Sequence, residues 1–451
     1  MKRTPHSSEE VSLKRTSTIK NKIIVLFIWL LLWQVTAMIV HNDVILASPI
    51  KAVYTLLGYM ATADFYRALF GSLLRIFAGI ILGFFLAVLM AVIALKYKAA
   101  EDFFAPVANV FKSVPVAVFA VLVIIWWGTD VLTVAVCIPV ALPNMYINIL
   151  EGMKTVRPEY MEVAKVYHFS PLTSYRFIYK DAVKDNVYSA VKISVGMCIK
   201  AGVAAEIIGT PKYSIGGKLY LSKIYLDTPG VFAWAIAIIF ISFVAEKLFI
   251  KVLDLYFKKR AVKITFRDKK SKDAATDMDL AGFENVSKSF GENNVLKNVN
   301  QKFEAGNIYL LDEPSGMGKT TKLRILAGLI KPDEGRVFAP AASMCFQEDR
   351  LFEQYDAITN IMLGGCDREK AEKLALTLLG SDDINKPVLE LSGGQKRRVA
   401  LIRAFSGDCK MVLLDEPFTG LDEENREKAQ RFIESNAKGR IIVTASHVKA
   451  N

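Results

Sequence analysis

Cysteine is scarce and unpatterned. The five residues, at positions 137, 198, 345, 366 and 409, show neither disulfide nor metal-ligand spacing, and two of them lie in apolar runs. Neither a disulfide framework nor a zinc site is implied. No small-residue cleavage site follows the basic, then apolar, N-terminal stretch up to Val40. A retained first membrane span is therefore expected rather than a signal peptide. Internal repeats are also missing. Acidic residues are outnumbered, 45 against 57 Lys and Arg, for a net charge of +12, which by itself would suggest a nucleic-acid partner. Counting by region removes that suggestion: residues 278–451 hold 24 basic and 26 acidic residues, whereas residues 1–277 hold 33 and 19. The surplus sits in the greasy part, as the cytoplasmic flanks of membrane spans require, so no nucleic acid is expected.

What the chain has in abundance is apolar residues, 52% of 451, too many for an ordinary soluble enzyme or a disordered tail. A spanning helix needs about 20 mostly apolar residues. Six stretches approach that length, near 23–41, 75–95, 103–127, 131–150, 187–208 and 231–250. Pro115, Pro139 and Pro143 interrupt the third and fourth, which neighbouring helices can tolerate. Basic residues precede the first span (Lys14, Arg15, Lys20, Lys22) and follow the sixth (Lys258, Lys259, Arg260). Both termini are therefore expected in the cytoplasm of a multi-pass cytoplasmic-membrane protein, and 151–186 becomes a 36-residue cytoplasmic loop. Its apolar residues Met161, Ala164, Val166, Phe169 and Phe177 are spaced for short amphipathic helices. Two readings stand: a solvated loop on the membrane surface, or a docking helix for a cytoplasmic partner. Lys200, in the middle of the fifth span, either lines the path of an anionic solute or pairs with another helix.

These segments carry a resemblance. Glu162-Val-Ala164 with Phe169, Phe177 and Ile178 resembles the coupling loop of binding-protein-dependent ABC importer permeases. Leu46-Ala-Ser-Pro, Ser72-Leu-Leu-Arg-Ile-Phe-Ala-Gly, Ser113-Val-Pro, Trp127-Gly-Thr-Asp, Ala205-Glu206 and Gly216-Gly217 are similar to the nitrate/sulfonate/taurine branch. The pattern departs at Tyr167-His168, where such loops usually carry glycine.

After a basic stretch at 258–277, read as a solvated linker, short strands and helices alternate as in an α/β nucleotide-binding domain. Ile308–Leu311 leads into Pro314-Ser315-Gly316-Met317-Gly318-Lys319-Thr320-Thr321. Such a loop surrounds phosphates with backbone N–H groups, with Lys319 on the β/γ oxygens and Thr320 on Mg²⁺. Met411–Leu414 ends in Asp415 and Glu416, suited to a metal-water contact and a general base respectively, or to a plain acidic surface. Leu391-Ser392-Gly393-Gly394-Gln395 resembles the ABC signature. Gln347, His447 and Phe290 match the glutamine loop (also a metal-water contact), the switch histidine and the adenine-stacking aromatic, with Phe290 open to a core reading. Asp422 completes the implied nucleotide set. Two residues break the pattern: Glu313 stands where glycine is usual and Lys322 where an apolar residue is usual. A Glu313 charge held about 6 Å from a phosphate would cost roughly 2 to 3 kcal/mol at an effective dielectric near 20, and less if the side chain rotates outward into screened solvent.

The expected architecture is an all-α six-helix transmembrane domain of the type I importer permease kind plus an α/β P-loop ABC ATPase domain. The expected division is a cytoplasmic tail (1–22), a permease domain (23–257, with coupling loop 151–186), a linker (258–277) and a shortened ATP-binding domain (278–451). The resemblance implies ATP-driven import of a small anion such as sulfonate, taurine or nitrate. ATP and Mg²⁺ would be cofactors, and an extracytoplasmic solute-binding protein a partner. A homodimer, or additional permease or ATPase subunits, would complete the machine. An exporter half-unit and a catalytically impaired subunit of a heteromer are the alternatives.

Overall fold

The computed structural model describes residues 6–258, 264, 279–314 and 316–446. Expected site residues Ser315 and His447, residues 1–5 of the tail and most of the linker lie outside the described residues. Among the described residues, eleven α-helices come first: α1 (His6–Val40), α2 (Pro49–Met60), α3 (Ala63–Lys96), α4 (Lys98–Ser113), α5 (Val116–Trp127), α6 (Leu132–Lys154), α7 (Pro158–Val166), α8 (Pro171–Ser174), α9 (Lys180–Gly209), α10 (Ile215–Ile224) and α11 (Thr228–Phe257), with a π-helical turn at Tyr175–Tyr179 between α8 and α9. The chain divides into two compact units: Met1–Thr155 with Ala182–Lys258, and Val156–Asp181 with Lys259–Asn451. The segment 156–181, expected within the permease domain, thus belongs to the unit that carries the ATPase motifs.

In the first unit, α3 and α6 are each long and apolar enough to cross a membrane, and α4 with α5 makes a third candidate only as a bent pair. The expected spans at 23–41, 187–208 and 231–250 fall on α1, α9 and α11, helices of 35, 30 and 30 residues. The expected span at 103–127, already interrupted by Pro115, is two helices rather than one. It breaks at Ser113–Pro115 with a 99° bend, because Pro115 has no N–H to continue the ladder and bars its predecessor from helical geometry. Pro139 and Pro143, in contrast, sit buried inside a continuous α6. This helix packs on α3 through small residues: a Cβ on Gly79 would lie 2.5 Å from Cys137 Cβ, and one on Gly83 3.1 Å from Ala141 Cβ. Such close backbone approach is how helices associate where no hydrophobic drive separates them from lipid.

A buried carboxylate joins four of these helices. Glu206 on α9 is fully buried. It accepts from Ser72 Oγ (2.5 Å) and Arg75 Nη2 (3.1 Å) on α3, Thr133 Oγ1 (3.1 Å) on α6, and the Gly216 amide (3.2 Å) on α10. Gly216 has no room for a side chain there, since its Cβ would lie 2.3 Å from Glu206 Cβ.

The second unit adds β1 (Leu280–Phe290), β2 (Asn293–Glu304), β3 (Ile308–Leu311), α12 (Lys319–Leu326), β4 (Glu334–Phe338), β5 (Ala342–Cys345), α13 (Ala357–Met362), α14 (Arg368–Leu378), α15 (Gly393–Ser406), β6 (Met411–Asp415), α16 (Glu423–Ser435) and β7 (Ile441–Ala445). An antiparallel sheet has the order β2-β1-β4. A second sheet, β3-β7-β6-β5, is parallel throughout, with Leu311 opposite Ala445, Asp415 opposite Ala445 and Cys345 opposite Leu414. Met-Val-Leu-Leu-Asp of β6 is buried along its whole length, as expected of a strand covered on both faces. Parallel pairing brings the carboxyl ends of all four strands to one edge, the usual place for a ligand in an open α/β sheet.

Candidate functional site

Four loops leave that edge. The phosphate loop follows β3, Gln347 follows β5, Glu416 follows Asp415 at the end of β6, and Ser446 follows β7. Gly316 and Gly318 have φ of 84° and 86°, a left-handed backbone that glycine alone adopts without cost. A Cβ on Gly318 would also lie 2.8 Å from Leu296. The loop turns there into α12, which begins with Lys319, Thr320 and Thr321 at the positive end of the helix.

Thr320 Oγ1 donates to Asp415 Oδ1 at 3.2 Å. Asp415 is buried, and that desolvation, with Glu416 beside it, lifts its carboxyl above the usual range. A hydroxyl and a desolvated carboxylate side by side suit a hard divalent cation, whose charge would offset the burial. Glu416 holds φ at 49°, an uncommon geometry for a residue with a side chain. Its amide bonds Ala445 O at 2.8 Å, and Thr419 Oγ1 donates to its carboxylate at 3.1 Å.

Arg397, which the sequence reading passed over, ties these parts together. It is buried and its guanidinium donates to the carbonyls of Phe346 (2.6 Å), Asp415 (2.6 Å), Glu416 (2.6 Å) and Pro417 (3.3 Å), and to Asp349 Oδ1 (3.2 Å). One fork on α15 therefore fixes the backbone of both the glutamine loop and the acidic pair. The only sequence signal was its place two residues after Gln395.

The other expected residues are spread around the unit. Ser392 caps α15 in a reciprocal box, its hydroxyl taking the Gln395 amide and Gln395 Oε1 taking the Ser392 amide. Ser392 and Gly393 are exposed, Gly394 and Gln395 half-buried. Gln347 is exposed. Asp422 caps α16 through the Asn425 amide (2.9 Å), and that bond holds its carboxyl below the usual range. Phe290 is exposed at the end of β1 with Lys288 Nζ 5.5 Å from its ring centre, so the core reading is set aside. In the first unit, Lys200 is exposed on α9 and forms no ion pair among the described residues.

Glu313 meets a cation from α12: Lys322 Nζ donates to it.

The segment 156–181 packs into the same unit. Val163, Ala164, Val166, Phe169, Phe177 and Ile178 are buried in one core with Met344, Phe352, Leu413 and Val443, whereas Met161 is exposed and not part of the buried face its spacing suggested. The solvated-loop reading is therefore overturned. Glu162 takes Arg324 of α12 with one oxygen and Arg350, three residues past Gln347, with the other. Tyr160 stacks on Phe352 at 5.0 Å. Tyr167 is buried and donates to Met344 O at 2.9 Å, and burial pushes its phenol up to about 12. His168 has φ of 52°, so the position that usually carries glycine keeps glycine's left-handed backbone.

Residues 79–254 match the family described as the binding-protein-dependent transport system inner membrane component, and residues 296–419 match the ABC transporter family. The chain is 35% identical over 191 residues to the glutamine transport ATP-binding protein of Escherichia coli (strain K12), covering 37% of this chain and 80% of the relative. It is 40% identical over 161 residues to an aliphatic sulfonates import ATP-binding protein of Pseudomonas savastanoi pv. phaseolicola, and 38% identical over 187 to an Fe(3+) ions import ATP-binding protein of Brucella suis biovar 1. Of those two it spans 60% and 52% of the length. A nucleotide-free ATP-binding cassette from an ABC transporter superposes with a TM-score of 0.35 at 25% identity, over 38% of this chain and 82% of that one. The chain belongs to the ABC transporters, and it joins a permease domain to an ATP-hydrolysing cassette in one polypeptide.

Proposed function

We propose that the chain imports a small anion, in the class of sulfonates, taurine and nitrate, with a permease domain at 23–257 and an ATP-binding domain at 278–451. The observation that carries the reading is the order of the two matches: an importer-type membrane component through residue 254, then a cassette from 296. Six crossings with both ends cytoplasmic, a tail at 1–22 and a linker at 258–277 complete the layout. The relatives' names cover glutamine, aliphatic sulfonates and Fe(3+); the sulfonate among them agrees with the permease motifs and with a cation, Lys200, on an exposed face of α9.

In this reading Lys319 and the α12 amides hold the phosphates of ATP, Thr320 and Asp415 hold Mg²⁺, and Gln347 and His447 sense the γ-phosphate. Phe290 stacks on adenine, Ser315, Gly316, Gly318 and Thr321 line the loop, and Glu416 takes the proton of the attacking water. Mg²⁺ supplies charge neutralisation as phosphate leaves. Ser392, Gly393, Gly394, Gln395 and Asp422 face the nucleotide of a second cassette, so a homodimer or added subunits complete the site. Glu162 touches both α12 and the segment after Gln347. Nucleotide-dependent movement of those two elements therefore pulls on the coupling loop directly, through a core in which Ala164 of that loop is buried. A solute-binding protein delivers the anion from outside.

Uptake of labelled taurine, ethanesulfonate and nitrate is measured in cells producing the wild-type chain or Glu416→Gln. Accumulation of at least one by wild type, lost in the variant, supports the reading. Efflux instead of accumulation assigns an exporter, and accumulation of none removes the anion class.

A further inference from the structure

The two residues that break the phosphate-loop pattern meet each other. Glu313 lies two positions past β3 and Lys322 is the fourth residue of α12, nine positions further on, and the loop folds back so that Lys322 Nζ donates to Glu313 Oε1. The Lys322 side chain is 8% exposed and that of Glu313 32%. An ammonium so far from water is held only at a cost unless an opposite charge meets it, and Glu313 supplies that charge. The second carboxylate oxygen, Oε2, is buried and accepts no hydrogen bond among the described residues, so among them Lys322 is the partner that fixes the carboxylate.

We propose that Glu313 and Lys322 are one compensated unit of the nucleotide site, in which Lys322 is a positioning residue that draws the carboxylate onto α12 and cancels its repulsion of the polyphosphate. This rests on the nucleotide-binding reading of the loop. An isolated carboxylate about 6 Å from a phosphate charge would weaken binding by tens to about a hundredfold at an effective dielectric near 20. A cation in contact with it turns that monopole into a dipole, whose field falls off faster. The loop therefore carries glutamate without losing ATP only while position 322 is basic. Each departure explains the other.

The test is equilibrium binding of ATP and ADP, without Mg²⁺ and at 50 and 500 mM NaCl, to the purified full chain in detergent. Lys322→Leu leaves Glu313 uncompensated: ATP binding weakens about tenfold or more at low salt, ADP less, and both losses shrink in part at high salt because salt screens the portion of the charge that reaches solvent. Adding Glu313→Gln to Lys322→Leu returns ATP affinity to within about threefold of wild type. A purely structural role for Lys322 predicts a loss that is equal for the two nucleotides, insensitive to salt and not rescued by Glu313→Gln, and that result overturns the proposal. So does unchanged affinity in Lys322→Leu. Should that variant not fold, the reversed pair Glu313→Lys with Lys322→Glu carries the decision. It keeps the contact and binds ATP at least as tightly as wild type, and a tenfold loss there overturns the proposal. Absence of ATP binding by the wild-type chain removes the nucleotide reading itself, a separate outcome.

Discussion

Replacing Glu162 by alanine removes the one carboxylate that Arg324 and Arg350 share. A hydrogen bond to a charged group contributes about 1.5 to 3 kcal/mol when well buried, but these side chains are 27%, 30% and 13% exposed, so solvent screening discounts both bonds. Arg350 also keeps Glu348 at 4.0 Å and the Phe346 ring at 4.2 Å, which softens its loss. The net cost is about 2 kcal/mol, a factor of roughly 30 in the opening equilibrium of the loop. Amide hydrogen exchange on the full chain reads this directly, because the Tyr167 and Phe169 amides bond inside the segment, to Val163 O (3.0 Å) and Ala164 O (2.9 Å). Exchange at 163–169 should accelerate by about thirtyfold in Glu162→Ala while the β6 amides stay unchanged. Glu162→Gln, which keeps neutral hydrogen bonds, should fall between. Unaltered exchange in the loop, or equal acceleration in β6, refutes the view that Glu162 pins this segment.

Arg397→Met should lower kcat for ATP hydrolysis by about ten to a hundredfold with ATP affinity within about threefold, since it frees the carbonyls that hold Glu416 and small misplacements cost that much; steady-state kinetics with a binding isotherm checks this. Asp415 has its folded-state carboxyl raised by burial, so the folded protein holds that proton more tightly than the unfolded chain. The resulting stability is fully present below the unfolded value near 3.9 and lost as pH rises through the folded one. Asp415→Asn should therefore raise the melting temperature of the nucleotide-free chain at pH 7, flatten its pH profile above pH 4 and abolish Mg²⁺-dependent hydrolysis. Glu206→Leu leaves Arg75 half-buried without its carboxylate and should cost about 3 kcal/mol of stability; adding Arg75→Leu should return part of it in a thermal melt in detergent.

The elements whose chemistry is local were legible in the sequence. A buried parallel strand ending in Asp415-Glu416 and a glycine loop entering a helix each state their geometry in a few residues, and the structure has them at one sheet edge. Motifs at Ser72–Gly79, Glu206 and Gly216 were visible as a resemblance, yet nothing in one dimension says that they converge on a single carboxylate. The same limit hid the pairing of Glu313 with Lys322 and the reach of Arg397, because ion pairs between loops depend on the path of the chain between them. Prolines were ambiguous for a related reason: Pro139 and Pro143 are absorbed where α6 is packed, while Pro115 breaks its helix. At Tyr167-His168 the missing glycine pointed to a turn position, and His168 adopts the left-handed backbone there.

The central claim is that this chain couples a permease to ATP hydrolysis at Asp415 and Glu416, and the ATPase rate of the purified full-length chain in liposomes tests it most directly. Metal positioning and water activation supply most of the catalysis in phosphoryl transfer. The wild-type chain should therefore hydrolyse ATP in a Mg²⁺-dependent manner, and Glu416→Gln should still bind ATP while losing turnover by two or more orders of magnitude. Equal rates in the two proteins would contradict the account.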